Sequence, residues 1–247
     1  MSTNSVKIWE GADIFAALTG LTKMSKNKKT GAMLGVSILP LAEKPSDSIK
    51  HKNDGPQCGG CALAAHTPGP WSCYVNPVGL NSVWGATVAV AIAQKTWRYA
   101  EYSGKKTISK MVDKFLQLSP VPIRLGTYGD PALLPLRLLK KLVRGRKYTG
   151  YTHQWETCSP EYSAYLMASI DHSNNKADAI ALGYRTYRIL GELDTLDSDE
   201  IMCPHDSHGV QCADCRLCSG NGVEAKNIAV RISGPPNKVS QYNTKGG

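Results

Sequence analysis

Residues 122–155 read PIRLGTYGDPALLPLRLLKKLVRGRKYTGYTHQW and contain one complete strand, helix and strand. Positions 123–127 suit a strand that ends in the turn Gly126-Thr127-Tyr128-Gly129-Asp130-Pro131. Positions 132–143 place leucines on most of one helical face, with Pro135 delaying the start, and 148–154 suit a second strand. Working outward, the same alternation continues. A short helix is predicted over 161–165, a strand over 166–170, a helix over 176–182, a strand over 184–190 and a last strand over 227–232. Upstream, GADIFAALTGLTKM (11–24) reads as an amphipathic helix, 32–41 as a strand and 43–57 as a polar loop. A long helix over 81–102, capped by Asn81 or Ser82, and a second over 108–118 follow. Strands alternating with helices predict an α/β fold with a parallel sheet. A partial or irregular (βα) barrel with cysteine-rich metal-binding loops at 58–73 and 203–218 is favoured over a doubly wound sheet. The expected organisation is a single domain over 1–233 and a loose polar tail over 234–247.

The chain has 247 residues, 42% of them apolar, enough for a sizeable core. The longest nearly apolar run, 83–93, is too short to span a bilayer. The opening MSTNSVKIWEGAD has no apolar core like that of a secretory signal. These features predict a cytoplasmic protein with no membrane partner. Lys and Arg number 29 against 20 Asp and Glu, a net charge of +9. That balance suits polyanions, and Arg137, Lys140, Lys141 and Arg144 on the predicted 132–143 helix are the best-placed candidates to meet nucleic acid or a nucleotide.

The eight cysteines are clustered. Cys58, Cys61 and Cys73 form one group, Cys203, Cys212, Cys215 and Cys218 another, and Cys158 stands alone. In a reducing compartment, C-x-x-C pairs read as metal ligands, because two intervening residues let both sulfurs turn toward one ion or cluster. Four cysteines close a site; three leave a position open for a water or a chelating cofactor. His66 is a candidate fourth ligand of the first group, and His205 and His208 are candidates to replace Cys203 in the second.

In parallel α/β folds the functional site gathers at the carboxyl ends of the strands. The first cysteine loop, the turn at 126–131, His153 with Gln154 and Trp155, Asp171 with His172, and the second cysteine loop are all expected on that rim. A strand, a three-cysteine loop, a long helix and then a strand ending in Gly129-Asp130-Pro131 resemble the radical S-adenosylmethionine enzymes. The resemblance implies a 4Fe-4S cluster on Cys58, Cys61 and Cys73 whose open iron binds S-adenosylmethionine. It implies Gly129 and Asp130 at the cofactor's amino group, Asp130 standing where that family usually has Glu. It also implies an auxiliary cluster on Cys203, Cys212, Cys215 and Cys218. His153 and Asp171 complete the candidate cofactor-binding set. The gap of eleven residues between Cys61 and Cys73 is longer than that family's usual spacing. Over 25–233 the chain also resembles an uncharacterised group of tailed-bacteriophage proteins, through NKKTGAML, CGGC with CYVNP, RLGTYGDPA, GYTHQW and CADCRLC. This implies a phage origin, and hence the cytosol of a bacterial host.

Two other readings stay open. In one, zinc fills both cysteine groups and the basic surface binds nucleic acid. In the other, zinc at the triplet serves a hydrolase with His153 or Asp171 as base. Cys158 with His153 is a weaker candidate nucleophile. No Gly-rich phosphate loop, Gly-x-Ser-x-Gly or His-Glu-x-x-His is present.

Overall fold

A computed structural model of the chain describes residues 4–73, 75, 77–93, 116–117, 120–171 and 175–245. In it the run IFAALT forms strand β2 (Ile14–Thr19), where the sequence predicts part of a helix. Almost every residue of this run is buried, and an apolar run covered on both faces reads alike in either period. Its neighbours decide the outcome. β1 (Ser5–Glu10) pairs with it antiparallel through a turn at 11–13, and β3 (Leu34–Pro40) pairs on its other side, with Ile14 opposite Pro40 and Thr19 opposite Gly35.

From β3 onward every strand pair is parallel. Between β3 and β4 (Ile123–Tyr128) lie α1 (Pro45–Lys50), α2 (Gly55–Cys58) and α3 (Pro77–Ala93). The stretch 43–57 is therefore largely helical and not the polar loop expected. Asn81 is not a cap: it lies within α3, where its side-chain amide bonds Ser46 and ties α3 to α1. The continuation of this helix to 102, and all of the helix expected over 108–118 except 116–117, fall outside the described residues. After β4, α4 (Leu136–Val143) starts late, behind Pro135, as its sequence suggests, and leads to β5 (Tyr148–Thr149). Leu138, Leu139, Leu142 and Val143 of α4 are buried against Ile8, Leu34, Ile123 and Leu125. Each such side chain contributes about 1.5–3 kcal/mol of burial free energy.

The strand expected over 148–154 is split at Gly150. Tyr148–Thr149 belongs to a five-stranded sheet ordered β1-β2-β3-β4-β5, while β6 (Tyr151–Thr152) opens a second. The second sheet is ordered β6-β7-β8-β10-β9. Its other strands are β7 (Met167–Ile170), β8 (Thr186–Leu190), β9 (Glu200–Met202), which the sequence did not reveal, and β10 (Asn227–Arg231). Gly150 packs closely at this break: a Cβ there would stand 2.8 Å from the Leu166 Cδ2 and 3.0 Å from the Leu125 Cβ. Helix α5 (Lys176–Ala181) connects β7 to β8, and α6 (Pro204–His208) and α7 (Cys212–Cys215) connect β9 to β10. Most of the tail is ordered. Residues Pro236–Lys245 form α8, whose buried Tyr242 hydroxyl donates to the carbonyls of Asp171 and Ile189. Among the described residues no helix is long and apolar enough to cross a membrane.

An ion network ties α5 and the loop before β9 to β8. Glu200, with no exposed side-chain surface, pairs with Arg188 at 2.6 Å and with Lys176 at 3.1 Å; Lys176 also meets Asp197 at 2.7 Å and Asp199 at 2.6 Å. Burial alone would raise the Glu200 carboxyl, but Arg188, the Asp197 amide and Lys176 together hold it below its ordinary value of 4.5. A depressed carboxylate contributes stability above its unfolded value and loses it as pH falls through the folded one. The thermal stability of the parent chain should therefore fall below about pH 4.5, and the Glu200→Gln variant should show a shallower acid slope. At neutral pH that variant should lose about 3 kcal/mol, because buried Arg188 loses its 2.6 Å carboxylate partner while Lys176 keeps Asp197 and Asp199.

Candidate functional site

The loop that bears the first cysteines is pinned from inside by Asp54. Its buried carboxylate accepts from the amides of Ala65 and His66, each at 2.8 Å, and contacts the His66 ring at 2.9 Å. His66 is thereby engaged by Asp54 and not by the thiols. Cys58 ends α2, and the Cys73 amide donates to the Leu63 carbonyl at 3.0 Å, folding the eleven-residue gap back on itself. This return explains how so long a gap still brings Cys73 beside Cys58 and Cys61. Burial pushes the Cys58 thiol far up, and the nearby charges of Asp54, Cys61, Cys73 and Asp130 push it further. Burial likewise raises Cys73, to about 11. These thiols favour the neutral form as they stand; a bound cation inverts that preference.

Opposite the triplet lies the turn after β4. The three cysteines, Gly126, Thr127, Gly129, Asp130, Tyr151 and His153 enclose a cavity of about 90 Å³. Gly129 has φ +72°, and a Cβ on it would come within 2.7 Å of the Gln57 carbonyl, the Ile38 carbonyl and the Ile38 Cβ. The close approach that this glycine allows is thus to the protein's own backbone. Asp130 is 4% exposed and its oxygens already have partners. One accepts from the Ala132 amide at 2.9 Å and the Thr152 hydroxyl at 2.7 Å, the other from the His153 amide at 2.7 Å. It caps the turn Pro131–Leu133 and latches it to the end of β6. Its carboxylate is already engaged, whereas the cofactor-binding expectation needs it turned to an ammonium group. The Thr127 hydroxyl is different: it is buried beside the cavity with no hydrogen-bond partner among the described residues.

The segment Thr152-His153-Gln154-Trp155 is the hub of the site. Gln154 accepts from the Gly60 amide at 3.1 Å and donates to the Cys58 carbonyl at 3.3 Å, gripping the first C-x-x-C. Trp155 anchors the segment by donating to the Ser169 carbonyl at 3.2 Å. The His153 ring lies 3.2 Å from Asp171. Burial pulls this imidazole down, but Cys61 and Asp171, both hydrogen-bonded to it, outweigh burial and hold it well above its ordinary value. The structure therefore joins His153, Asp171 and Cys61 in one chain of contacts. His172 lies outside the described residues. Cys158 is placed against the Tyr184 hydroxyl at 3.2 Å, and burial raises its thiol, so it packs as a core side chain.

The second group assembles on the turn that precedes β3. The Cys212 and Ala213 amides donate to the carbonyls of Lys29 and Thr30, each at 3.0 Å, and Gln211 donates to that of Lys28 at 3.0 Å. This docking gives NKKTG a role that the sequence did not reveal. Arg185 holds the far side of the loop by donating to the carbonyls of Leu217, Gly220, Ala225 and Lys226. Burial pushes the Cys218 thiol up, and the charges of Cys212, Cys203 and Cys215 add to it, so all four sulfurs lie within electrostatic reach. Cys203, Cys212 and Cys218 border a cavity of about 190 Å³ whose wall shares Leu63, Tyr151 and His153 with the triplet cavity. Neither His205 nor His208 borders it. Among the described residues no group of three or more His, Cys, Asp or Glu side chains is arranged so that it could hold a metal ion. The donor sets are thiol-rich and grouped, which fits soft metal centres. No family model, curated protein or solved structure matches the chain.

Proposed function

We propose that the chain is an iron–sulfur enzyme of the radical S-adenosylmethionine type, with a partial (βα) barrel around its site. Cys58, Cys61 and Cys73 would hold the reactive cluster, and Cys203, Cys212, Cys215 and Cys218 an auxiliary one. The observation that carries this reading is the common wall of the two cavities, Leu63, Tyr151 and His153. The two cavities adjoin, so groups held by the two sets of thiols would be neighbours. The ring stack supports the curvature: Tyr151 of β6 and Tyr187 of β8 lie 4.5 Å apart, although both strands pair with β7 and not with each other. In a flat sheet, strands two apart are separated by about 9.5 Å.

Bound at the triplet, a 4Fe-4S cluster supplies the electron that cleaves the sulfonium of S-adenosylmethionine. The chain's own residues do the rest. Three thiolates would leave one position for the cofactor, beside the turn that carries Thr127 and Gly129. Asp130 holds the turn and the His153 segment together, so the two walls of the cavity stay in register. His153, fixed by Asp171, hydrogen-bonds Cys61 and offsets the charge of a bound thiolate centre. A reducing cytosol would keep the eight free cysteines available as ligands, and with the phage resemblance that cytosol would be an infected bacterium's.

The second reading, zinc in both groups with nucleic acid as partner, draws on α4, where Arg137, Lys140 and Lys141, with Arg144 just past its end, are all exposed around a buried leucine face. One preparation separates the two. Purified without oxygen, the protein should be brown, contain iron and acid-labile sulfide, and release methionine and 5′-deoxyadenosine from S-adenosylmethionine after reduction. A colourless zinc protein whose DNA binding falls steeply with salt would establish the second reading instead.

A further inference from the structure

No cysteine is among the described lining of a third cavity, of about 490 Å³, so a metal centre at either thiol group leaves its volume free. Alternation along the first sheet builds its floor. Leu18, Leu34, Ile123 and Leu125 pack in the core with α4, which leaves Thr19 of β2, Gly35 of β3 and Arg124 of β4 on the opposite face. Between the pairs Gly35–Arg124 and Ser37–Tyr128 the register shifts, and this bulge in β4 carries Thr127. A Cβ on Gly35 would stand 2.8 Å from the Thr19 hydroxyl and 2.9 Å from the Thr127 hydroxyl. The orphaned Thr127 hydroxyl is thus turned to Gly35, which borders this cavity and not that of the triplet. Met24, Met33 and Val83 supply apolar walls, and Lys23, Lys26 and Arg124 supply charge, with no acidic residue in the described lining. Asn4 accepts from the Lys23 amide at 2.8 Å and Asn27 from the Thr30 amide at 3.1 Å, which fixes the turns that present the two exposed lysines. Arg124 is engaged with the Tyr151 hydroxyl at 2.9 Å and lends its charge.

We infer that this cavity takes the substrate, a small sugar phosphate. Calling the ligand a substrate rests on the enzyme reading; the binding itself does not. A sugar hydroxyl both donates and accepts, as a threonine hydroxyl does, so the floor of Thr19 and Thr127 matches the ring's hydroxyls. The methionine and valine walls suit the ring's C–H faces, and two lysines at the rim suit a doubly charged phosphate. An apolar ligand would leave the Thr127 hydroxyl without a partner, and free phosphate would leave the floor unfilled. The volume lies within the usual 300–1,000 Å³ of small-molecule sites. Thr127 also borders the triplet cavity, so a ring seated on it lies next to the proposed reactive centre.

The test is equilibrium titration of the metal-loaded full chain, whatever its metal, with ribose 5-phosphate, glucose 6-phosphate, the two free sugars and inorganic phosphate. One of the phosphorylated sugars should bind at least tenfold tighter than its free sugar and than phosphate. Thr127→Val should weaken it about fivefold and leave Tm unchanged or raised, since a methyl replaces a hydroxyl that had no partner. A hydroxyl with only a packing role would leave the affinity untouched. Lys23→Gln combined with Lys26→Gln should weaken the sugar phosphate about tenfold, flatten its salt dependence and leave the free sugar unchanged. No binding of either sugar phosphate, equal affinity for sugar and sugar phosphate, or full affinity in Thr127→Val overturns the inference. Metal content and cofactor cleavage, measured on the same preparation, report separately on the enzyme reading.

Discussion

Replacing Cys61 by Ser should abolish cofactor cleavage, by a hundredfold or more, while the chain still folds. The loop around Cys61 does not depend on its sulfur for shape. Asp54 holds its two ends through the Ala65 and His66 amides, Gln154 grips Cys58 and Gly60, and the Cys73 amide is tied to Leu63. Reconstituted iron should fall from about eight to about four per chain, the loss of one four-iron cluster. Cys215→Ser should behave in the opposite way. Cys215 is half-buried, so oxygen for sulfur costs little by itself, and what would be lost is the metal closure proposed for the four-cysteine group before β10. A closed site contributes its binding energy to folding, so stability should drop by about 3 kcal/mol, roughly 10 °C in Tm for a chain of this size. The iron at the triplet should remain. Similar behaviour of the two variants, in iron content and in Tm, would contradict two separate centres.

That contrast was half legible in the sequence. The thiol spacing showed two groups, because C-x-x-C is a local pattern and needs no tertiary knowledge. The strands at 34–40, 123–128, 167–170, 186–190 and 227–231 were legible too, each a short apolar run bounded by Gly, Pro or polar residues. The failures share one cause, dependence on a distant partner. Ile14–Thr19 becomes a strand because β1 and β3 flank it, and nothing within the run itself distinguishes that outcome. The polar tail becomes α8 because Tyr242 finds the Asp171 and Ile189 carbonyls and Lys238 lies 3.3 Å over the Trp71 ring. Within the site, the C-terminal ends of β4, β6 and β7 carry Asp130, His153 and Asp171 as the strand rule anticipates. What the sequence could not show is direction. Asp130 faces Thr152 and the His153 amide, and the hydroxyl left over is that of Thr127.

Gly129 gives the sharpest test of how the turn is built. The Gly129→Ala variant should lose about 2–5 kcal/mol, a large share of the stability of an ordinary domain. Two costs add. At φ +72° an L-residue with a Cβ is strained by about 1–2 kcal/mol. The new Cβ would also stand 2.7 Å from two carbonyl oxygens and from the Ile38 Cβ, where neither β3 nor α2 yields without losing its own packing. Overpacking of that kind costs about 1–3 kcal/mol. A shift of the turn to relieve it would break the bond from the Asp130 amide to the Gln57 carbonyl, 2.8 Å, and move Thr127 away from the triplet. Gly145 supplies the control. It has φ +66°, close to that of Gly129, but a Cβ on it would meet nothing within 4 Å. Gly145→Ala should therefore show only the backbone cost, about 1–2 kcal/mol. Chemical denaturation of the two variants side by side isolates the steric part. If both lose the same amount, the turn is not wedged between β3 and α2, and the wall facing Cys58, Cys61 and Cys73 is looser than the geometry requires.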